Sequence, residues 1–242
     1  MRSLSIVIHG EPGCGKSWAG ASAPAPRLIL DSEGGSRFVP GTKIYWDPSQ
    51  YAPPEDPVNG EWDTCIVMVR DWSVVERVVQ WLSSGNHPFK SVVLDSLTEM
   101  QKRVIDQTAG IEQPTQQQWG VVLRVMEDHV RKIRDLIGHP THPLECVVII
   151  CLSHMRDGKF RPYVKGALEL TLPGFVDVVG YMRVEMDIES GGMVRRMTIA
   201  PLGDIDAKDR THVLTQTWGP HIPDPNLEIM VQVIDRSTGG QQ

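Results

Sequence analysis

The 242-residue chain contains 40% hydrophobic and 22% charged residues, which is ordinary for a soluble globular protein. Its formal net charge of −6 argues against a protein that coats nucleic acid by bulk charge, so a nucleic-acid partner would need a local basic patch. No apolar run approaches the roughly 20 residues that span a membrane. The four cysteines form no CxxC pair, which indicates reduced thiols in a reducing compartment.

A phosphate-binding motif lies near the start of the chain. Residues 10–17 read Gly-Glu-Pro-Gly-Cys-Gly-Lys-Ser and match the P-loop pattern G-x-x-x-x-G-K-[ST], between a predicted strand (4–8) and a predicted helix (18–23). In such a loop backbone N–H groups cradle phosphate oxygens, the lysine reaches the β- and γ-phosphates, and the serine hydroxyl ligates Mg²⁺. We therefore predict that the chain binds ATP with Mg²⁺. The residues assigned to this site are Gly10, Gly13, Cys14, Gly15, Lys16, Ser17 and Trp18.

Short apolar runs and helical segments follow the P-loop. Residues 27–31 and 65–69 predict strands, and Asp71 predicts the N-cap of a helix that continues to about Leu82. The first of these strands ends in the polar segment 31–35, at the edge where open α/β sheets hold ligands. The proline-containing segment 45–63 has no periodicity and predicts a surface loop.

A second strand with an acidic end completes the predicted site. Residues 91–96 form an apolar run that closes on Asp95, and a buried strand that delivers an aspartate to Mg²⁺ is the second half of a P-loop site. A strand that ends in Asp is weak support on its own, because Asp commonly ends strands and caps helices. The P-loop upstream makes the Mg²⁺ role the favoured interpretation.

Two helices and a central strand come next. Residues 97–106 predict a helix, 107–118 a polar loop, and Thr115 with Gln118 a capping box for a long helix that ends near Ile137. His129 lies on the apolar stripe of that helix, so we interpret it as a packed histidine and not as a ligand. Residues 146–152 are the most continuous apolar run and predict a strand that is buried on both faces.

The central strand is predicted to end in Ser153 and His154, beside the Asp95 strand. From spacing alone, two interpretations of His154 stay open: a sensor of the γ-phosphate, or a histidine that satisfies a turn. A locally basic loop is predicted over residues 155–172, and a plain solvated loop is its competing interpretation. The cations and aromatic residues of this loop are Arg156, Lys159, Phe160, Arg161, Tyr163 and Lys165.

The last third of the chain predicts an antiparallel hairpin and a final helix. Residues 181–188 alternate between apolar and polar, 189–192 form a turn, and 194–199 return. Lys208 and Arg210 are two apart on an extended segment, so their side chains point the same way. A helix over 227–234 precedes a tail, 237–242, that is predicted to be flexible, and residues 1–236 are predicted to form a single domain.

The order of these motifs resembles the RecA-like P-loop ATPase superfamily. The P-loop, Asp31 to Glu33, Asp95, His154 and the Lys208-Asp209-Arg210 segment follow one another as in that superfamily. Within it, the chain is most similar to the small phage RecA-like ATPases that accompany single-strand annealing and recombination. The resemblance covers nearly the whole chain and implies an α/β fold: a RecA-like core with a mostly parallel sheet, flanking helices and an antiparallel C-terminal hairpin.

The resemblance also implies catalytic roles. Glu33 stands where such ATPases place the carboxylate that polarises the attacking water, and Asp95 is the acid on the Mg²⁺ side. His154 takes the place of the phosphate sensor, which is a glutamine in many members. Lys208 and Arg210 match a Lys-x-Arg pair that ring-forming relatives project into the ATP site of a neighbouring subunit. The implied catalytic set is Lys16, Glu33, Asp95, His154, Lys208 and Arg210, with Ser17 and Asp95 at the metal.

The implied partners are single-stranded DNA, further copies of the chain in a ring or filament, and a single-strand DNA-binding or annealing protein. The resemblance implies no membrane and a cytoplasmic location, in the bacterial host if the chain is phage-encoded. Cations interleaved with aromatics in the 155–172 loop are typical of a sequence-tolerant single-strand site. The alternative, in which Phe160 and Tyr163 pack inward, stays open.

Other classes of function share the P-loop. A small-molecule kinase is disfavoured because no Arg-rich lid follows the second half of the site, and a GTPase because the chain lacks an Asn-Lys-x-Asp motif. A non-hydrolysing, ATP-dependent DNA-binding or assembly protein stays open. Glu33 favours hydrolysis, so the sequence predicts a Mg²⁺-dependent, DNA-stimulated ATPase.

Overall fold

Short apolar runs separated by polar loops give this chain a large mixed sheet. The computed structural model describes residues 3–187 and 191–239. The strands in this part of the chain are β1 (Leu4–Gly10), β2 (Arg27–Asp31), β3 (Lys43–Tyr45), β4 (Thr64–Met68), β5 (Ser91–Asp95), β6 (Cys146–Arg156), β7 (Lys159–Pro162), β8 (Val178–Met186), β9 (Met193–Thr198), β10 (Lys208–Asp209) and β11 (His221–Pro223). The helices are α1 (Lys16–Gly20), α2 (Trp72–Ser83), α3 (Leu97–Ala109), α4 (Gln116–Asp135), α5 (Leu168–Phe175), α6 (Val213–Trp218) and α7 (Leu227–Gly239).

The sheet has the strand order β11-β9-β8-β1-β6-β5-β2-β4-β3, with β10 paired to β8 and β7 paired to β6. The strands from β8 to β3 in this order run parallel to one another. The pairs β8–β9, β9–β11, β8–β10 and β6–β7 are antiparallel. The predicted fold class, a mostly parallel sheet with an antiparallel C-terminal hairpin, is therefore confirmed. Because parallel strands end at one edge, the loops after β1, β2 and β5 meet there.

Alternate residues of the central strands face two separate cores. Val7 of β1 and Ile149 of β6 pack with α2 to α5 on one face of the sheet. Ile6 of β1 and Ile150 of β6 pack with α1, α6 and α7 on the other face. Each fully buried aliphatic side chain contributes roughly 1.5–3 kcal/mol. Burial on both faces explains why these strands are continuous apolar runs in the sequence.

Both predicted ends of the first helix, the predicted end of the third helix and one predicted loop were wrong. The helix predicted over 18–23 begins earlier and ends earlier, as α1, because prolines at 24 and 26 stop it from continuing. The helix predicted to end at Asp106 continues to Ala109 and ends at Gly110, whose φ is 64°. The polar loop predicted over 107–118 therefore covers only about half of that range.

The segment 45–63 is anchored despite its prolines. Its first residue, Tyr45, ends strand β3, which pairs with β4 at the edge of the sheet. Trp46 and Trp62 are buried against Phe89, with ring centroids 6.1 and 6.2 Å apart. The indole N–H of Trp46 also donates to the carbonyl of Tyr51, at 3.0 Å. The predicted surface loop is thus held at both ends by buried indoles.

The predicted N-terminal caps of α2 and α4 are confirmed. The Asp71 carboxylate caps α2 by accepting a hydrogen bond from the Ser73 N–H, and Thr115 forms the capping box with Gln118. His129 of α4 is packed as predicted. Its Nδ1 lies 2.9 Å from the Val125 carbonyl oxygen within the same helix, and its ring meets Trp72 edge-on.

The C-terminal helix is longer than predicted. It runs to Gly239, so the first three residues of the segment predicted as a flexible tail are helical. Residues 240–242 lie outside the described residues, as do residues 188–190 of the predicted hairpin turn. None of the helices in the described ranges is long and apolar enough to cross a membrane.

Candidate nucleotide-binding site

The P-loop joins β1 to α1 at the carboxyl edge of the sheet. Gly13 and Gly15 have φ values of 79° and 92°, in the left-handed region that glycine adopts without a steric penalty. At Gly10 the reason for glycine is different. A Cβ there would lie 2.2 Å from the Met182 carbonyl oxygen of the neighbouring strand β8. The motif thus needs glycine for two physical reasons: backbone conformation at 13 and 15, and close strand approach at 10.

Lys16 is buried and turned into the loop. Its ammonium donates hydrogen bonds to the carbonyl oxygens of Gly10, at 2.9 Å, and Glu11, at 2.8 Å. Cys14 is buried beside it, with its Sγ 3.9 Å from the Lys16 Nζ. Within the described residues Lys16 forms no ion pair with a carboxylate. A buried cation that is satisfied only by carbonyl groups favours the binding of an anion, since a phosphate can replace weaker partners.

Ser17 and Asp95 lie close together across the loop, near enough for hydrogen bonding by the Ser17 side chain to lower the pKa of the Asp95 carboxyl. Burial raises the pKa of Asp95 from 3.8 to about 6, and the charges of Asp31 and Glu33 also raise it. The Ser17 hydrogen bond and the charge of Lys16 lower it, but their effect is smaller. A hydroxyl and a carboxylate held together fit Mg²⁺, which takes one or two carboxylates and fills its other positions with waters and phosphates. No cluster of three or more metal-binding side chains occurs in residues 3–187 and 191–239.

Glu33 lies in the loop after β2, and its side chain bonds the residue that directly follows β5. The Asp31 carboxylate accepts hydrogen bonds from the N–H groups of Glu33 (3.0 Å), Gly34 (2.7 Å) and Ser36 (2.9 Å), which fixes the loop after β2. The Ser96 hydroxyl, directly after Asp95, donates to Oε1 of Glu33. Glu33 itself is exposed. Its carboxylate therefore lies at the mouth of the site, oriented by Ser96 and open to water.

His154 lies inside a strand and not at its end. The prediction that the strand ends at Ser153 and His154 was wrong, because β6 continues to Arg156 and turns back as β7. Leu152 pairs with Gly10, so His154 is two residues beyond the end of β1. Its Nε2 lies 3.1 Å from Oε1 of the buried Glu169. This placement removes the interpretation of His154 as a turn residue, and the sensor role stays a prediction.

The residues predicted to bind DNA lie mainly on the β6–β7 hairpin. The prediction of a loop over 155–172 was wrong for the parts that form β6, β7 and α5, because the chain pairs with itself on either side of the turn at Asp157 and Gly158. Phe160 stacks on Tyr181 with ring centroids 5.1 Å apart, and Tyr163 lies against His154 at 5.0 Å. Both rings pack against the chain, which is the alternative that the sequence left open.

The cations of the hairpin are partly paired. Arg156 bonds Glu169 at 2.5 Å, and Arg161 lies 3.2 Å from Asp206. Lys159 and Lys165 form no ion pair within the described part of the chain. The predicted basic surface is therefore reduced to two free lysines and the exposed side of Arg156.

Lys208 and Arg210 lie toward the opposite, amino edge of the sheet. Lys208 pairs with Val179 of β8, and the Arg210 N–H donates to the Asp177 carbonyl. The Lys208 ammonium donates to the carbonyl oxygens of Pro173 and, at 2.6 Å, Val176, near the end of α5. The Arg210 guanidinium donates to the Gly174 carbonyl at 3.0 Å. The two side chains point the same way, as predicted, but they bind the C-terminal end of a helix of their own chain.

Sequence reasoning missed an arginine at the P-loop. Arg195 of β9 crosses the loop so closely that a Cβ at Gly15 would lie 2.7 Å from its Cδ and Nε. Its guanidinium carbon lies 5.1 Å from the ring centroid of Trp18. No local pattern marks Arg195, because the β8–β9 register alone brings it to the loop. Ser96 was also missed, although its place directly after Asp95 is a signal that was available.

Comparison with known proteins gives a family and a fold. A family model described as an AAA domain matches residues 2–211. No curated protein matches the sequence. Among 256 solved chains that match, one is described as a prototypical ATPase from the type III secretion system of pathogenic bacteria, with a TM-score of 0.52 and 13% identity. The match covers 87% of this chain and 58% of that one, and at such identity it shows the fold alone.

Proposed function

The chain belongs to the AAA domain family, and from that premise we propose that it hydrolyses ATP in a Mg²⁺-dependent reaction at the carboxyl edge of its sheet. It is a P-loop ATPase domain of the AAA type. The observation that carries the proposal is the Glu33 carboxylate that Ser96 orients beside Asp95, at the same edge as the buried Lys16 of the P-loop.

Each residue of the site has a separable task. Lys16 exchanges its carbonyl partners for phosphate oxygens, and Ser17 with Asp95 holds the Mg²⁺ side. Bound Mg²⁺ supplies positive charge that neutralises the phosphate oxygens. Glu33 accepts a hydrogen bond from the attacking water and orients it. Phosphoryl transfer to water depends mostly on positioning and on charge stabilisation. These contacts therefore provide most of the chain's contribution to catalysis.

Phosphate release from ATP tests this proposal. We expect wild-type protein to release phosphate with Mg²⁺ and to lose the activity when the metal is chelated. ATP binding without release under any tested condition, DNA included, would favour the non-hydrolysing assembly protein. Phosphate transfer to a small molecule, with none released to water, would favour a kinase.

The proposal extends to single-stranded DNA as the partner that stimulates hydrolysis, in recombination or annealing of the phage type. Its support is the β6–β7 hairpin and the segment that follows it, where Lys159 and Lys165 have no carboxylate partner among the described residues. The buried Glu169 joins the hairpin's Arg156 to His154 near the P-loop, which gives DNA a physical route to the nucleotide. Stacking on Phe160 is not part of the proposal, because that ring is engaged with Tyr181.

Salt dependence tests the hairpin directly. Each phosphate contact to a single strand contributes roughly 0.7 to the slope of log K against log salt. Replacing Lys159 and Lys165 by Ala is expected to lower that slope by about 1.4 while ATP binding stays unchanged. As a matched control, Lys132→Ala and Lys90→Ala remove two cations that are paired with Asp128 and Glu145 elsewhere on the chain. An unchanged slope in the hairpin variant would remove the hairpin from the DNA site.

We also propose that the ATP site is shared between subunits of a homo-oligomer. Lys208 and Arg210 lie toward the edge away from their own P-loop, so they reach a nucleotide only if a neighbour presents it. Mixing Lys16→Ala with Arg210→Ala subunits is expected to restore part of the activity, since each variant lacks a different half. If mixing restores no activity and turnover per subunit does not depend on concentration, the shared site is wrong. Lys208 and Arg210 then only stabilise α5 of their own chain.

A further inference from the structure

A small cavity lies beside the P-loop, next to the point where α1 begins. It has a volume of about 200 Å³ and lies between Trp18, Arg195 and the segment 224–226 that leads into α7. Pockets for whole drug-sized ligands are larger, at roughly 300–1,000 Å³. The cavity therefore fits one part of a nucleotide, and the phosphates already have the P-loop.

The walls of the cavity suit a flat heterocycle. Trp18 directly follows Ser17, the last residue of the motif, and is 47% exposed. The Arg195 guanidinium lies over that ring, and within the described residues Arg195 forms no ion pair with a carboxylate. Indole and guanidinium planes are both surfaces on which nucleic-acid bases stack. The exposed indole and the arginine that lies on it thus form one stacking surface beside the P-loop.

The rim of the cavity offers a hydrogen-bond donor and an acceptor. The Asn226 side-chain oxygen accepts from the Ile229 N–H at 3.1 Å, so its amide N–H groups remain to donate. Asp224 has a carboxylate that can accept a hydrogen bond. The Asp224 backbone N–H donates to the Arg195 carbonyl oxygen at 2.8 Å. Adenine carries an acceptor, N7, beside a donor, its 6-amino group, whereas the matching edge of guanine carries two acceptors. A donor beside an acceptor complements adenine.

We propose that this cavity holds the adenine base, stacked against the Trp18–Arg195 pair with its edge at Asp224 and Asn226. The inference rests on the proposed function, because the phosphates must first be held by the P-loop. It also gives Gly15 a second reason to be glycine: a side chain there would displace Arg195 from the loop. Arg195 and Trp18 are then residues that determine specificity for the base, with no part in phosphoryl transfer.

The test compares ATP with inorganic tripolyphosphate, which offers the phosphates without the base. Dissociation constants for both, and for GTP, are measured by calorimetry on the wild-type chain, Trp18→Ala and Arg195→Ala. Loss of one stacking partner is expected to weaken ATP by about tenfold or more and to leave tripolyphosphate within about twofold. Trp18→Phe should keep most of the ATP affinity. Wild type should prefer ATP over GTP.

Arg196→Ala is the matched control. It removes the same charge one position along β9, where the side chain is paired with Glu185 at 2.5 Å, and it should change neither ligand. If Arg195→Ala weakens the binding of ATP and of tripolyphosphate equally, the proposal that the cavity binds adenine is wrong, and Arg195 contacts the phosphates. Unchanged ATP binding in both variants would also overturn the proposal. If the wild-type protein binds neither ligand, the proposed nucleotide-binding site is wrong, and the proposed adenine-binding cavity is wrong with it.

Discussion

Two aspartates at opposite edges of the sheet show how differently this chain treats its charges. At the carboxyl edge, burial raises the pKa of Asp95 to about 6, and Asp31 and Glu33 add repulsion. Toward the amino edge, burial acts in the same direction on Asp209, but hydrogen bonds from Thr211 and Thr215 outweigh it and lower the pKa of that carboxyl. The fold thus disfavours the ionised form of Asp95 and favours the ionised form of Asp209.

The difference separates function from stability. Asp209 accepts hydrogen bonds from the N–H groups of Thr211 and Thr215, each at 2.9 Å, and so fixes the start of α6. Asp95 has no comparable set of donors, and only the Ser17 hydroxyl and the charge of Lys16 oppose the effect of burial on its pKa. Groups that a fold keeps at a cost in stability cluster at functional sites. The two edges therefore predict opposite responses to the removal of a charge.

The largest expected effect is on activity at the carboxyl edge. Lys16→Ala removes the buried ammonium that lies within the loop, and loss of one such preorganised group costs about 10²–10³ in rate. We expect turnover to fall by about 10³-fold and ATP binding to weaken, with little change in the unfolding temperature. Loss of cooperative unfolding in Lys16→Ala would show instead that Lys16 is needed for the fold.

The next largest effect is on stability, and it depends on pH. An acid whose pKa is higher in the folded state than in the unfolded state destabilises the fold once it is ionised. The Asp95 carboxyl therefore lowers stability as pH rises from about 4 to about 6, by at most about 3 kcal/mol. We expect Asp95→Asn to stabilise the nucleotide-free protein at pH 7 by about 2 kcal/mol while Mg²⁺-dependent turnover falls.

Thermal unfolding of wild type and Asp95→Asn at pH 7 and pH 5 measures this directly. The gain from the substitution should shrink at pH 5, because the wild-type carboxyl is then largely protonated. A substitution that destabilises the protein at both pH values would mean that the Ser17 hydrogen bond outweighs the burial of the charge.

The smallest expected effect lies at the amino edge and has the opposite sign. Asp209→Asn weakens charge-assisted hydrogen bonds at the start of α6 and should destabilise the protein by about 1–2 kcal/mol. Because the pKa of Asp209 is lowered in the fold, its contribution is present above pH 3.8 and is lost as pH falls below that value. Urea denaturation gives the size of the loss. ATP hydrolysis at a temperature where both proteins are folded should be unchanged, and a loss of turnover there would contradict the division between the edges.

Local patterns in the sequence predicted most of the carboxyl edge. The P-loop is eight consecutive residues, and Asp31 and Asp95 each end a strand that its own apolar run defines. Residues that act through long-range pairing were not predictable. Arg195 reaches the P-loop only through the register of β8 with β9, and Glu169 reaches His154 only because β6 turns back as β7. The packing of Phe160 on Tyr181 depends on the same hairpin, so composition alone suggested a free aromatic.

Phosphate release by Glu33→Gln at saturating Mg²⁺ and ATP, with ATP affinity measured in parallel, tests the catalytic role of the carboxyl edge. Glu99→Gln is the matched control, since Glu99 lies in the first turn of α3 near Ser96 and pairs with Lys102 at the surface. We expect Glu33→Gln to bind ATP like the wild type and to release phosphate about 100-fold more slowly, because the amide cannot polarise the attacking water. Release at the wild-type rate would contradict the account and place the water-polarising group elsewhere.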